Sequence, residues 1–208
     1  MKVINTLVLS GAGVKGVAYC GVFKKIKELQ ESKDNSNIKI DIKDIMAVSV
    51  GTIFGLVYIL NYSYEELYEE LMEKKFSDFL DNKVSTFIKG YGLNSGKNII
   101  NWVESLLLKK GYSKNVTFSE LYKKTNIHYK IMVTNLNKHK LTKFDYIDTP
   151  KMKVIKAIRM AISIPFAFSV LTYNDDIYVD AALTNNFPID LYENKENIFG
   201  IDFLYTQQ

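Results

Sequence analysis

Short apolar runs alternate with amphipathic stretches along the first third of the chain. Thr6-Leu7-Val8-Leu9 reads as a buried strand, and a helix-like spacing follows at once, with Val14, Ala18, Val22, Ile26 and Leu29 on one face. A second strand is expected from about Ile42 to Val48, with a helix-like apolar run after it. Strand and helix patterns alternate in this way through residues 3–62, as they do in βαβ units. Further on, Ser63-Tyr64-Glu65-Glu66 and Thr117-Phe118-Ser119-Glu120 each set a hydroxyl three residues before a glutamate, the capping box that starts a helix. Residues 128–147 read as two strands around a Lys-rich turn. Residues 168–180 read as a hairpin around Asn174-Asp175-Asp176, and Asn197 to Leu204 as a closing strand. No internal repeat or low-complexity linker interrupts the pattern. The stretch from Gly90 to Gly96 reads as a flexible loop, so one α/β domain over residues 1–208 is expected.

Two strand ends carry candidate chemistry. The second strand runs into Ala47-Val48-Ser49-Val50-Gly51, a serine with small residues two positions before and after it. Small neighbours let a strand-to-helix turn close sharply, which lifts a serine Oγ above the sheet edge and aims the next helix's N-terminus at it. A structural serine at a strand end fits the same pentad. The first strand runs into Ser10-Gly11-Ala12-Gly13-Val14-Lys15-Gly16. Its G-x-G-x-x-G spacing suits a dinucleotide, but the second strand ends in the serine turn rather than in an acid that would hold a ribose. A phosphate loop fails as well, because Val17-Ala18 follows Gly16 where Lys-Ser/Thr is needed. What remains is a set of backbone N–H groups at a helix start, an anion site. Beside a serine nucleophile that anion is the tetrahedral oxyanion of acyl transfer. A tight turn with glycines for packing is the alternative.

A serine nucleophile needs a base. The chain has two histidines, His128 opening an alternating strand and His139 in the turn Asn137-Lys138-His139-Lys140, and none in its last third. That order does not suit a Ser-Asp-His triad, in which the histidine comes late. A triad esterase would require one of these two histidines to reach Ser49. A carboxylate is the other choice, and Asp180, closing Asp176-Ile177-Tyr178-Val179, is the candidate. Held within reach and partly desolvated, it can take the serine proton. A turn residue capping the next segment is the plainer role for it.

Four blocks together resemble the patatin-like phospholipases: Gly11-Ala12-Gly13-Val14-Lys15-Gly16, the pentad at Ser49, Ala157-Ile158-Arg159-Met160-Ala161-Ile162-Ser163-Ile164-Pro165-Phe166, and Asp180-Ala181-Ala182 through Asn185-Asn186-Phe187-Pro188. They stand in the family's order and span the chain from about residue 5 to about 203. The resemblance implies a three-layer α/β sandwich with a mostly parallel central sheet flanked by helices. It implies a lipid acyl hydrolase with a Ser49–Asp180 dyad. The N–H groups of Gly11, Ala12 and Gly13 would form the oxyanion hole, with Lys15, Gly16 and Gly51 supporting the motifs. The substrate would be a phospholipid or other lipid ester, cleaved through an acyl-enzyme without a cofactor. Two positions depart from the family's pattern. Ala47 replaces the first elbow glycine, and Ala181 replaces the glycine after the aspartate. If position 181 needs a positive φ, alanine costs of order ~1 kcal/mol there and tilts the carboxylate. A catalytically impaired, lipid-binding relative is therefore the alternative.

Composition adds bounds. With 208 residues, 47% of them hydrophobic, the chain can bury a substantial core. Two histidines and one cysteine are too few for a zinc site, and no EF-hand-like loop occurs, so no metal is expected. The net charge of +4 is uneven. Residues 107–156 hold twelve lysines against three acids, +9, which leaves −5 for the rest. A solvated lysine surface explains this, as does attraction to an anionic membrane surface. Nucleic acid does not fit, because no basic helix or stacking module accompanies the lysines. Phe76, Phe79, Phe87, Tyr91 and Trp102 are expected in helix packing, with a membrane-facing rim as the other reading. Arg159 is the one arginine, and a structural salt bridge is expected for it. Single Cys20 suits a reducing compartment. The apolar residues after Lys2 belong to the first strand rather than to a signal peptide, and no run is long enough to span a membrane. A cytoplasmic protein with peripheral membrane contact is the expectation.

Overall fold

A computed structural model describes residues 2–31, 37–81 and 92–203. Among the described residues nine strands are formed: β1 (Lys2–Leu9), β2 (Ile38–Val48), β3 (Gly92–Asn94), β4 (His128–Asn135), β5 (Lys140–Phe144), β6 (Phe166–Phe168), β7 (Leu171–Tyr173), β8 (Asp176–Asp180) and β9 (Ile198–Ile201). Among them run the helices α1 (Tyr19–Glu31), α2 (Val50–Ile59), α3 (Tyr64–Met72), α4 (Lys97–Lys109), α5 (Phe118–Thr125) and α6 (Val154–Ala161). Seven strands make one mixed sheet in the order β7-β8-β4-β2-β1-β9, with β5 also on β4, while β3 and β6 pair separately. The pairings β4–β2, β2–β1 and β1–β9 are parallel, whereas β5 and β8 meet β4 antiparallel and β7 meets β8 antiparallel.

Alternation along the parallel strands divides the core in two. Leu7, Leu9, Ile45, Ala47, Ile131 and Val133 join the large cluster under the helices. Val8, Met46, Val48 and Met132 face the other way, against Phe187, Ile189 and Tyr192 of the segment after β8. Eight of the ten residues of α2 are buried, which explains why that helix is apolar on every side.

Both capping boxes form as their spacing predicts, starting α3 at Ser63 and α5 at Thr117. The hairpin of β7 and β8 turns on Asn174 and Asp175, both at positive φ, the pairing of a two-residue turn whose twist matches the strands. The closing strand is shorter than predicted, ending at Ile201, and Leu204 lies outside the described residues. In the Gly90–Gly96 stretch, residues 92–94 form β3 rather than a loop. Gly90 and Tyr91, like Phe87, lie outside the described residues.

The predicted stripe on the first helix is corrected. Residues 13–18 form a tight 3₁₀ segment, and its three-residue turn shifts the phase of the helix that follows. The buried positions are Gly16, Tyr19, Cys20 and Ile26, while Val14, Ala18 and Leu29 are exposed. Tyr19 fixes the phase, because its hydroxyl donates to the Ser10 carbonyl at 2.7 Å.

Candidate active site

Strand β4 works as a ruler that brings two chain segments together. Residues 131–135 pair with β5 along one edge. The other edge is shared: β2 takes residues 128–132, ending with Val48 beside Met132, and β8 takes residues 133–135, with Asp180 beside Val133. The end of β2 and the end of β8 therefore abut, and the next residue after Val48 is Ser49.

Ser49 sits on the turn between β2 and α2 with φ 53° and ψ −131°. A non-glycine residue at such angles is strained, at a typical cost of about 1–3 kcal/mol, and strain of this kind clusters at functional sites. Two hydrogen bonds hold the elbow, since the Thr52 N–H and Oγ1 both donate to the Ser49 carbonyl, at 3.0 and 2.6 Å. Gly51 lets the turn press onto the end of β1: a Cβ there would lie 2.6 Å from the Ser10 carbonyl oxygen and 2.9 Å from that of Leu9.

The glycine-rich loop lies directly against the serine. A Cβ on Gly11 would come within 2.9 Å of Ser49 Cβ and 2.4 Å of Asn186 Oδ1. Asn186 clamps this residue, accepting from the Gly11 N–H at 3.3 Å through its carbonyl and donating from Nδ2 to the Gly11 carbonyl at 3.0 Å. The Gly11 N–H is thereby engaged, and the Ala12 carbonyl accepts from the Lys15 N–H at 3.1 Å. Among the described residues the N–H groups of Ala12 and Gly13 have no protein acceptor. Gly13 takes φ 52°, and Gly16 packs on Val50 and Phe54, where a Cβ would sit 3.0 Å from each side chain. Lys15 is exposed.

Asp180 is buried, at 1% exposure. Its N–H donates to the Ser163 carbonyl at 3.1 Å, and its own carbonyl accepts from Thr134 Oγ1 at 3.3 Å. Oδ1 accepts from the Ala182 N–H at 2.9 Å, while Oδ2 is buried without a partner in hydrogen-bond geometry. Burial pushes the carboxyl up to about 6, against the opposing pull of the Ser49 hydroxyl and the Ala182 N–H. The serine is thus close enough to act on the carboxyl but has not closed a bond to Oδ2, an open arrangement common before substrate binds. Ala181 begins a 3₁₀ turn and is not among the residues at positive φ, nor is Ala47. Neither alanine strains the backbone.

Among the described residues Arg159 has no salt-bridge partner, contrary to expectation. It is 6% exposed and reaches neutral acceptors: Nε donates to the Ser95 carbonyl at 2.8 Å, Nη1 to Ser163 Oγ at 2.7 Å, and Nη2 to the Ser169 carbonyl at 2.7 Å and its Oγ at 3.0 Å. Burial lowers its pKa to about 10, and Asp81 partly offsets this from a distance. The histidines lie elsewhere. His128 pairs in register with Asp44, four residues before the site end of β2, and its Nε2 meets Asp145 Oδ2 at 2.9 Å. His139 is exposed in the β4–β5 turn. Sequence pattern alone does not reveal the clamp by Asn186 or the Arg159–Ser163 support of Asp180. Both lie inside the four motif blocks, and that placement is the available signal.

A pocket of about 320 Å³ opens beside Ser49. Val50, Ile53, Phe54, Phe79, Trp102 and Phe168 make its walls, and Lys74 also lines it. A larger groove of about 690 Å³ lies toward the starts of β1, β2 and β9, away from the serine, and among the described residues no nucleophile or buried acid lines it. Ser49 opens on the smaller space.

The chain has recognisable relatives. It is similar to the probable lipid hydrolase 463L of Invertebrate iridescent virus 6, at 31% identity over 94% of this chain and 67% of that protein. It is also similar to the uncharacterised protein R571 of Acanthamoeba polyphaga mimivirus, at 30% identity over 96% of this chain and 65% of that one. The chain thus spans about two thirds of these relatives' length. Among solved structures, VipD from Legionella pneumophila shares the fold, with TM-score 0.68 at 15% identity over 95% of this chain and 49% of VipD. The family described as patatin-like phospholipase matches residues 7–191, and the chain belongs to that family.

Proposed function

We propose that the chain is a lipid acyl hydrolase in which Ser49 is the nucleophile and Asp180 the general base. The observation that carries this reading is the meeting of a strained serine turn with a buried carboxyl of raised pKa on one edge of β4. As Ser49 Oγ attacks an ester carbonyl carbon, its proton passes to the Asp180 carboxylate. The carbonyl's electron pair moves to the oxyanion, held by the N–H groups of Ala12 and Gly13. Gly11 contributes by its missing Cβ, since its N–H is engaged with Asn186. Collapse of the tetrahedral species expels the alcohol, which takes the proton from Asp180. Water, deprotonated by the same carboxylate, then attacks the acyl carbon, and Ser49 Oγ leaves with that proton as the carboxylic acid is released. The apolar pocket would take the acyl chain, and the substrate is a phospholipid or related lipid ester. A histidine triad has no support in this geometry. The unstrained backbone at Ala181 removes the reason to expect an impaired relative.

Hydrolysis of a fluorogenic phospholipid and a short-chain p-nitrophenyl ester tests the proposal, with a metal chelator present. Wild-type activity is expected to persist, and Ser49→Ala and Asp180→Asn each to lose at least about a hundredfold in kcat. Full activity in either variant would overturn the dyad.

A further inference from the structure

Several of the apolar residues left exposed stand at one place. Val14, Val17 and Ile164 line the Ser49 pocket and are exposed, so they stand at its mouth. Phe166 lies between two pocket residues, Ile164 and Phe168, and is 70% exposed with φ 64°. A bulky side chain in the left-handed region is an outlier that asparagine or glycine would avoid. Neither packing nor backbone preference accounts for a phenylalanine there. Cations stand among these side chains, with Lys15 between the two valines and Lys74 on the pocket wall.

We propose that this mouth docks on a bilayer surface containing anionic phospholipid, with Phe166 as the anchor that enters the acyl region. Phe166 loses its contact with water on docking, which gives its exposure a purpose. Val14, Val17 and Ile164 then form an unbroken apolar path from the bilayer to Ser49, while Lys15 and Lys74 meet the headgroup phosphates. An acyl chain could enter the pocket without crossing water. The orientation rests on the reading of the Ser49 pocket as the acyl site.

The test uses Ser49→Ala protein, which leaves vesicle lipid intact, in co-sedimentation with vesicles of phosphatidylcholine alone or equimolar with phosphatidylglycerol. Binding to the mixed vesicles is expected, weaker on phosphatidylcholine and weakened by salt. Adding Phe166→Asn is expected to reduce partitioning about tenfold, and Phe166→Trp to preserve it. Asparagine suits the left-handed backbone, so thermal melting of that variant should be unchanged or raised, which excludes misfolding as the cause. With Ser49 intact, Phe166→Asn should lower hydrolysis of vesicle phospholipid about tenfold while a soluble short-chain ester is cleaved as before. Equal vesicle binding with and without Phe166 would overturn the proposal, as would binding to neither vesicle. Hydrolysis of the soluble ester by a chain that ignores vesicles would leave the dyad standing without the docking. Phe166-dependent binding by a chain that hydrolyses nothing would do the reverse.

Discussion

A buried carboxylate can be a base only where burial and access balance, and the proposed base Asp180 shows what burial does to such a group. Its pKa of about 6, against an ordinary 3.8, comes first from desolvation. The base form accumulates above pH 6, so kcat/KM is expected to rise tenfold per unit below that value and level off above it. The same shift costs stability. The folded state binds this proton more tightly than the unfolded chain, so the group's stabilising contribution is complete below about pH 4 and is lost as pH rises through about 6. The loss amounts to about 3 kcal/mol when fully developed. Asp180→Asn, which cannot ionise, is therefore expected to melt several degrees above wild type at pH 8 and alongside it at pH 4. A variant less stable than wild type at pH 8 would refute this. The sequence offers Ser49 and Asp180 through their neighbours, but the pKa is beyond its reach. A desolvation shift depends on how the chain buries the carboxyl, and the backbone partners that hold Asp180 in place, Val133 on β4 and the Ser163 carbonyl, are distant in sequence. Ala181 shows the same gap, because its harmlessness follows from a φ that no one-letter pattern records.

At the scale of elements, local chemistry is legible and long-range pairing is not. The capping boxes at Ser63 and Thr117 and the Asn174-Asp175 turn are set by residues within a few positions of each other. The first helix departs from its predicted stripe because its phase is set by a tertiary contact, Tyr19 on the Ser10 carbonyl and Gly16 under Phe54. The β3–β6 pair joins residues about seventy positions apart and carries no alternation long enough to mark a strand. Arg159 secures that region, since its fork joins α6 to Ser95 before α4 and to Ser169 after β6. Gly96 leaves room for it, as a Cβ there would lie 2.5 Å from Arg159 Nε. A lysine cannot present three planar donor directions to these acceptors. Arg159→Lys is expected to cost about 2–4 kcal/mol in denaturant unfolding, because buried acceptors lose their partners. A loss below about half a kcal/mol would show the fork to be dispensable.

Across the whole molecule, the sheet sets Ser49 and Asp180 at one end, and the pocket proposed to take the acyl chain is assembled from chain segments between residues 13 and 168. Its volume of about 320 Å³ then bears on selectivity. A methylene fills roughly the space of a water molecule, ~30 Å³, so a space of this volume holds on the order of ten carbons. Each buried methylene contributes about 0.8 kcal/mol, or a factor of about four. With soluble p-nitrophenyl esters below their aggregation limit, kcat/KM is therefore expected to climb about fourfold per added methylene and to flatten near about ten carbons. The wall can be moved to test this. Trp102, packed on Phe79 with ring centroids 5.2 Å apart, is the largest side chain lining the space. Trp102→Phe should shift the plateau toward longer chains by one or two carbons, with short esters cleaved as efficiently as before. A plateau that stays where it was would mean that longer chains leave through the mouth, past Val14 and Ile164, and that the lipid surface rather than the pocket wall sets the preferred length.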